Sequence, residues 1–171
     1  DRSGRGTRRW SQITAGNFLP DNGFQKHHGD YEIAAISNEP DVNGCYPVYI
    51  FRRGYETPAV VLLSDNIHPI TDISAGNFET DVDVFDELAV KIGGSDKIEI
   101  FKPSDLLWRR TISSVEPDII AISTGNYDGD SRNGDEIAAI TDFPGQVLLY
   151  RVGDCGCYDL GCTNTCDAGQ V

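Results

Sequence analysis

The sequence predicts an all-β fold, a β-propeller-like array of three four-stranded antiparallel blades with calcium loops and a cysteine-rich C-terminal tail. Three observations lead there. A Gly-Asn-aromatic triplet occurs three times, as Gly16-Asn17-Phe18, Gly76-Asn77-Phe78 and Gly125-Asn126-Tyr127. Each triplet opens a loop that ends in an apolar strand, and the second and third loops are acid-rich and equal in length. The copies recur every ~50–60 residues, a period at which a repeat is one supersecondary unit that buries its face on a neighbour. The third observation is that β-branched and aromatic segments alternate with turn residues throughout, while no helical periodicity is sustained.

In the first repeat the expected strands are 12–18, 32–37, 47–52 and 59–63. In the second they are 73–78, 87–92 and 97–102, with an outer candidate at 106–112. The third shows 119–123, 136–140 and 146–151. Ile119-Ile120-Ala121-Ile122 is continuously apolar, which predicts a strand covered on both faces. Lys97-Ile98-Glu99-Ile100-Phe101 alternates, which predicts a half-exposed one. The resulting division is a basic arm at 1–9, blades at about 10–66, 67–116 and 117–152, and a tail at 153–171.

The loops have the chemistry of a calcium site. Calcium takes six to eight oxygens, and alternate residues of a tight loop can aim theirs at one centre. In the third loop Asn126, Asp128 and Asp130 alternate in this way, Arg132 can offer a backbone carbonyl, and Asp135 or Glu136 closes the shell. In the second, Asn77, Glu79, Asp81 and Asp83 do the same, closed by Asp86 or Glu87. The first loop is poorer, with Leu19 at a ligand place and His27 and His28 within it. Asp, Asn and Gly are also common turn residues, so a metal-free hairpin loop is the competing reading.

These residues resemble a known family. Gly-Asn-[Phe/Tyr], an Asx-rich loop, Asp-Glu-[Ile/Leu]-Ala and a strand ending [Phe/Tyr]-[Arg/Lys] are similar to the FG-GAP and VCBS repeats of integrin-α-type β-propellers, over roughly residues 10–152. The resemblance implies calcium between the first two strands of a blade and roles in adhesion, ligand binding or structural display. Some relatives bind sugars and a few belong to enzymes. Both acidic loops carry about two more residues before the closing acid than the family's shortest form, whose pattern favours the acid directly before the apolar strand.

The net charge is −13, and the first ten residues contribute +3 through Arg2, Arg5, Arg8 and Arg9 against Asp1, leaving −16 on the rest. Such a surface repels nucleic acid, and bound calcium would neutralise part of it. The basic arm is either a frayed terminus or a contact for another copy. No stretch reaches the ~20 apolar residues of a membrane helix. With no initiator Met and no signal-peptide pattern, the chain reads as a processed product or a piece of something longer.

Cys155, Cys157, Cys162 and Cys166 crowd a tail with few apolar residues, which predicts disulfides and an extracellular or cell-surface location. A Cys155–Cys157 pair is the least favoured because so small a ring is strained. Zinc competes, but paired C-x-x-C knuckles are missing. Cys45 is the odd one, either a free thiol in a turn or tied to the tail or to another chain.

For catalysis there is no nucleophile elbow, no His-Glu-x-x-His and no phosphate loop. Acid pairs that recur once per repeat suit a structural role better than an active site. Three blades are also fewer than a propeller normally closes with, and open edges invite pairing. The leading expectation is therefore a non-catalytic, calcium-held extracellular module for adhesion or assembly, with a protein partner or self-association into an oligomer or filament. The alternative is a lectin-like carbohydrate binder, with Trp10, Trp108 and Tyr150 as stacking candidates. The second alternative is a non-catalytic fragment of a larger propeller-containing enzyme.

Overall fold

The computed structural model describes residues 9–20, 31–63, 68–78, 85–95, 97–113, 119–129, 134–142 and 145–152. Among these there are eleven strands and no helix. Strands β1 (Trp10–Gly16), β2 (Glu32–Ser37), β3 (Pro47–Phe51) and β4 (Val60–Leu63) form the first sheet. The second holds β5 (Ile70–Gly76), β6 (Glu87–Ile92), β7 (Lys97–Lys102) and β8 (Asp105–Ser113), and the third β9 (Ile119–Gly125), β10 (Glu136–Thr141) and β11 (Val147–Arg151). Each sheet is an antiparallel meander in chain order.

Among the described residues the third sheet has three strands where four were expected. Residues 153–171 lie outside the described residues. The first strands also end two residues earlier than expected in the first two sheets, at Gly16 and Gly76. There the Asn that follows turns its main chain to the next sheet, and the aromatic ring turns into the core.

The repeat is exact in register. Gly16 pairs with Glu32, Gly76 with Glu87 and Gly125 with Glu136, and each first-strand pairing carries an irregularity near its far end. Position for position, Ala34, Ala89 and Ala138 correspond, as do Ile50, Ile100 and Leu149.

This correspondence explains how the sheets stack. One core lies between the first two sheets, where Ala34, Ile36, Val48 and Ile50 of the first meet Ile73, Leu88, Val90 and Phe101 of the second. A second core repeats the arrangement one sheet on, where Ala89, Ile98 and Ile100 meet Ile122, Ile137, Ala139 and Tyr150. The first two sheets thus each seat a forward face on their successor, and the last two each receive their predecessor on a rear face. Phe18 and Phe78 are fully buried in these two cores.

Two expectations about burial are corrected by the structure. β7 was expected to be half-exposed, yet beyond Lys97 all of it is buried, Ile98 and Ile100 on the third sheet and Phe101 on the first. The middle sheet has a neighbour on both sides. β9 was expected to be covered on both faces, yet Ile120 is 54% exposed because it is the unpaired residue of a bulge, as exposed Thr71 is at the same place in β5.

The rings make the first prediction. Phe18→Ala or Phe78→Ala should each destabilise the chain by about 3–5 kcal/mol, as for other buried aromatic truncations. Tyr127→Ala, at a half-exposed ring, should cost a small fraction of that. Urea-unfolding midpoints of the three variants check the contrast.

Candidate functional site

The Gly-Asn and Asp-Glu motifs meet at the joints between sheets. Asp86 stands just before β6, and its N–H donates to the Asn17 carbonyl at 2.8 Å while its Oδ2 accepts the Asn17 N–H at 2.7 Å. Asp135, just before β10, repeats the exchange with Asn77, at 2.6 Å and 3.0 Å. Two hydrogen bonds thus close a small reciprocal clasp between consecutive repeats. Space at the clasp favours glycine: a Cβ on Gly16 would lie 2.8 Å from the Phe18 ring and 2.9 Å from Asp86 Oδ2, and one on Gly76 would lie 3.1 Å from the Phe78 ring and 3.2 Å from Asp135 Oδ2. Gly134 is required twice over, since its φ is +77° and a Cβ there would meet the Asn77 and Phe78 carbonyl oxygens at 2.8 Å.

The second joint has additional bonds. Asp72 in β5 accepts the Ile122 N–H through Oδ2 at 2.8 Å and the Ile73 N–H through Oδ1 at 3.0 Å. The Thr124 hydroxyl lies 2.8 Å from that of Ser74 and also donates to the Ala75 carbonyl. A buried carboxylate that receives main-chain N–H groups in this way offsets the cost of its own desolvation.

Within each sheet the glutamate at the head of the second strand caps the turn that follows Gly-Asn. Glu32 Oε2 accepts from Phe18 N–H at 2.9 Å and Leu19 N–H at 3.3 Å. Glu87 Oε2 accepts from Phe78 N–H at 2.8 Å, and Glu136 Oε2 from Tyr127 N–H at 2.9 Å and Asp128 N–H at 3.3 Å. A cation at the end of the third strand faces this glutamate in the first two sheets: Arg52 Nε lies 3.7 Å from Glu32 Oε1, and Lys102 Nζ 3.8 Å from Glu87 Oε1. In the third sheet the equivalent Arg151, which pairs with Glu136 in the ladder, bonds Asp128 Oδ2 at 2.6 Å instead. Glu136 Oε1 is buried and has no hydrogen-bond partner among the described residues.

Burial pushes the Asp86 carboxyl above its ordinary value of 3.8 against the lowering effect of the Asn17 N–H, and nearby Asp135 raises it further. Glu32 is also raised, chiefly by burial, against the Phe18 and Leu19 N–H groups and the Arg52 charge.

The expected closing acids Asp86, Glu87, Asp135 and Glu136 thus each give one oxygen to a clasp or a cap. Asp128 and Glu136 are brought together, and Asn77 is held through its main chain, while the Asn126 side chain is exposed. Glu79, Asp81, Asp83, Asp130 and Arg132 lie outside the described residues, as do Cys155, Cys157, Cys162 and Cys166. Among the described residues no group of three His, Cys, Asp or Glu side chains is placed to hold a metal, and Cys45 forms no disulfide.

The stacking candidates have other surroundings. Trp10 packs edge-on against Tyr49 and Phe51, with ring centroids 5.4 Å and 5.6 Å apart, and Tyr150 is buried in the second core. The side chain of Trp108 lies outside the described residues. Sequence reasoning missed the clasp and the cation facing each cap. Glycine directly before each Asn and Arg, Lys and Arg closing the three third strands were the signals.

The clasp predicts opposite outcomes for two substitutions. Asp86→Ala leaves the Asn17 N–H without its acceptor and should cost about 1–3 kcal/mol. Asp86→Asn keeps an acceptor and carries no charge to desolvate, so at pH 7 it should match or exceed the native chain. Because the folded pKa of Asp86 is raised, its favourable contribution is complete below 3.8 and is lost as pH rises through the raised value. The margin of Asp86→Asn over the native chain should therefore shrink as pH falls from neutral to about 4. Urea unfolding at both pH values tests this.

Comparison of the chain with protein-family models, with curated proteins and with solved structures found no match in any of the three.

Proposed function

We propose that this chain is a non-catalytic extracellular assembly module, a propeller-type array of calcium-supported blades whose work is to join sheets to one another. The observation that carries this reading is the clasp. The acids that recur in each repeat bind main-chain groups of the same or the preceding sheet, a use that suits building and leaves chemistry no part. The resemblance of the quoted motifs to FG-GAP and VCBS repeats supports the same class. Among the described residues no helix is long and apolar enough to cross a membrane.

Calcium fits the third loop better than the second. Glu136 Oε1 is a buried carboxylate oxygen without a hydrogen-bond partner among the described residues, and Asp128 is bonded to the same side chain through its N–H. Around Glu87 the Lys102 ammonium already supplies positive charge, so a second cation there meets repulsion. Arg151 is the resident competitor of the third loop, through its bond to Asp128. Bound calcium would supply positive charge to Asp128 and Glu136, which hold it, while the cap to Tyr127 keeps the loop in place.

Calcium at about 100 times its Kd should stabilise the chain by about 2.7 kcal/mol, a rise in Tm of roughly 5–10 °C for a domain of this size. Glu136→Gln keeps an acceptor for the Tyr127 N–H and should lose that gain, while Arg151→Gln should bind calcium more tightly. Thermal melts with calcium and with a chelator check all three, and a native chain indifferent to calcium overturns the metal reading.

The extracellular assignment has its own readout. In an oxidising buffer the four tail cysteines should resist a thiol reagent, and only Cys45 should titrate. Five reactive thiols would count against it.

A further inference from the structure

The third sheet carries a forward face that matches those of the first two. Ala34, Val48 and Ile50 seat on the second sheet, and Ala89, Ile98 and Ile100 seat on the third. Their equivalents Ala138, Val147 and Leu149 are equally apolar, and Ile140 stands where Ile36 does. Yet Val147 is 71% and Ile140 45% exposed, and Tyr127, at the place of the fully buried Phe18 and Phe78, is 49% exposed. An apolar face of this kind on one side of a sheet marks a contact surface.

The clasp is prepared on the same side. Among the described residues nothing bonds the N–H or carbonyl of Asn126, the groups that in Asn17 and Asn77 hold the next repeat's aspartate. Gly125 precedes it, although a Cβ there would meet only Tyr127, at an ordinary 3.6 Å. At Gly16 and Gly76 the same glycine makes room both for the repeat's own ring and for an incoming carboxylate.

We infer that the forward face of the third sheet, with Asn126 at its socket, docks a partner sheet of the same kind, one that carries Asp-Glu at the head of its second strand and an uncapped apolar rear face. A second copy of this chain does not meet that description. Its first sheet has Tyr31 where Asp86 and Asp135 stand, so although Ile13, Ile33 and Val61 leave apolar surface exposed on its rear face, beside the Trp10 contact with Tyr49 and Phe51, it brings no aspartate to the socket. This inference rests on the assembly reading, but it does not need calcium.

The test reads the Asn126 amide by hydrogen exchange, with Asn17 and Asn77 as internal standards. In the native 171-residue chain Asn17 and Asn77 should be protected and Asn126 should exchange rapidly at every protein concentration. In an extended chain, residues 1–152 followed by a second copy of 117–171, the first Asn126 should exchange about 100-fold more slowly. Asp135→Ala in the appended copy should return it to the rapid rate. Continued rapid exchange in the extended chain, with Asn17 and Asn77 protected, overturns the inference. So does an Asn126 already protected in the native chain: if protection is independent of concentration the chain's own tail fills the socket, and if it grows with concentration a second copy does. Calcium-dependent melting with an unprotected Asn126 defeats this inference alone, and the converse defeats the metal reading alone.

Discussion

Everything in this chain depends on a carboxylate reaching across from one sheet to the main chain of the sheet before it. Apolar stacking supplies most of the free energy, because the two cores remove large rings and aliphatic chains from water. Stacking alone is non-directional, however, and two twisted sheets could slide over one another with little change in buried area. The exchange between Asn17 and Asp86, repeated by Asn77 and Asp135, pins the relative position to one register. The glutamate caps then hold each aromatic ring at the entrance to its core.

Much of this was legible in the sequence. All eleven strands were anticipated, because β-branched runs bounded by turn residues report local pairing. The equivalence of Asp-Glu in the second and third repeats was equally plain. The sequence did not reveal which partner each acid takes. Asp and Glu at the head of a strand suit a cation and a ring of N–H groups alike, since both offer positive charge to the same oxygens. The choice depends on the packing distance between sheets, a tertiary quantity that no single repeat encodes. Burial failed at β7 for a related reason, since alternation reports how one strand faces its own sheet whereas exposure depends on how many sheets lie beyond it, and at β9 because a bulge leaves Ile120 outside the ladder.

The cations show how similar repeats can diverge in one bond. Arg52, Lys102 and Arg151 occupy one register position. The first two face the cap glutamate, but Arg151 reaches to Asp128. In the third sheet the cap is left with a buried oxygen, so the electrostatics of this loop differ from those of its neighbours while the backbone pattern stays the same.

The clasp is divided between repeats, with glycine and asparagine on one side and aspartate on the other, and this has a genetic consequence. Duplicating the second or third repeat in frame, or excising the second, brings the same halves together at the new boundary: without the second repeat, Asn17 would simply face Asp135. The bonds around Asp72 and Thr124 would have to be rebuilt, but the shared part of the joint needs no compensating change. Repeat number is therefore a variable that recombination can alter in a single event.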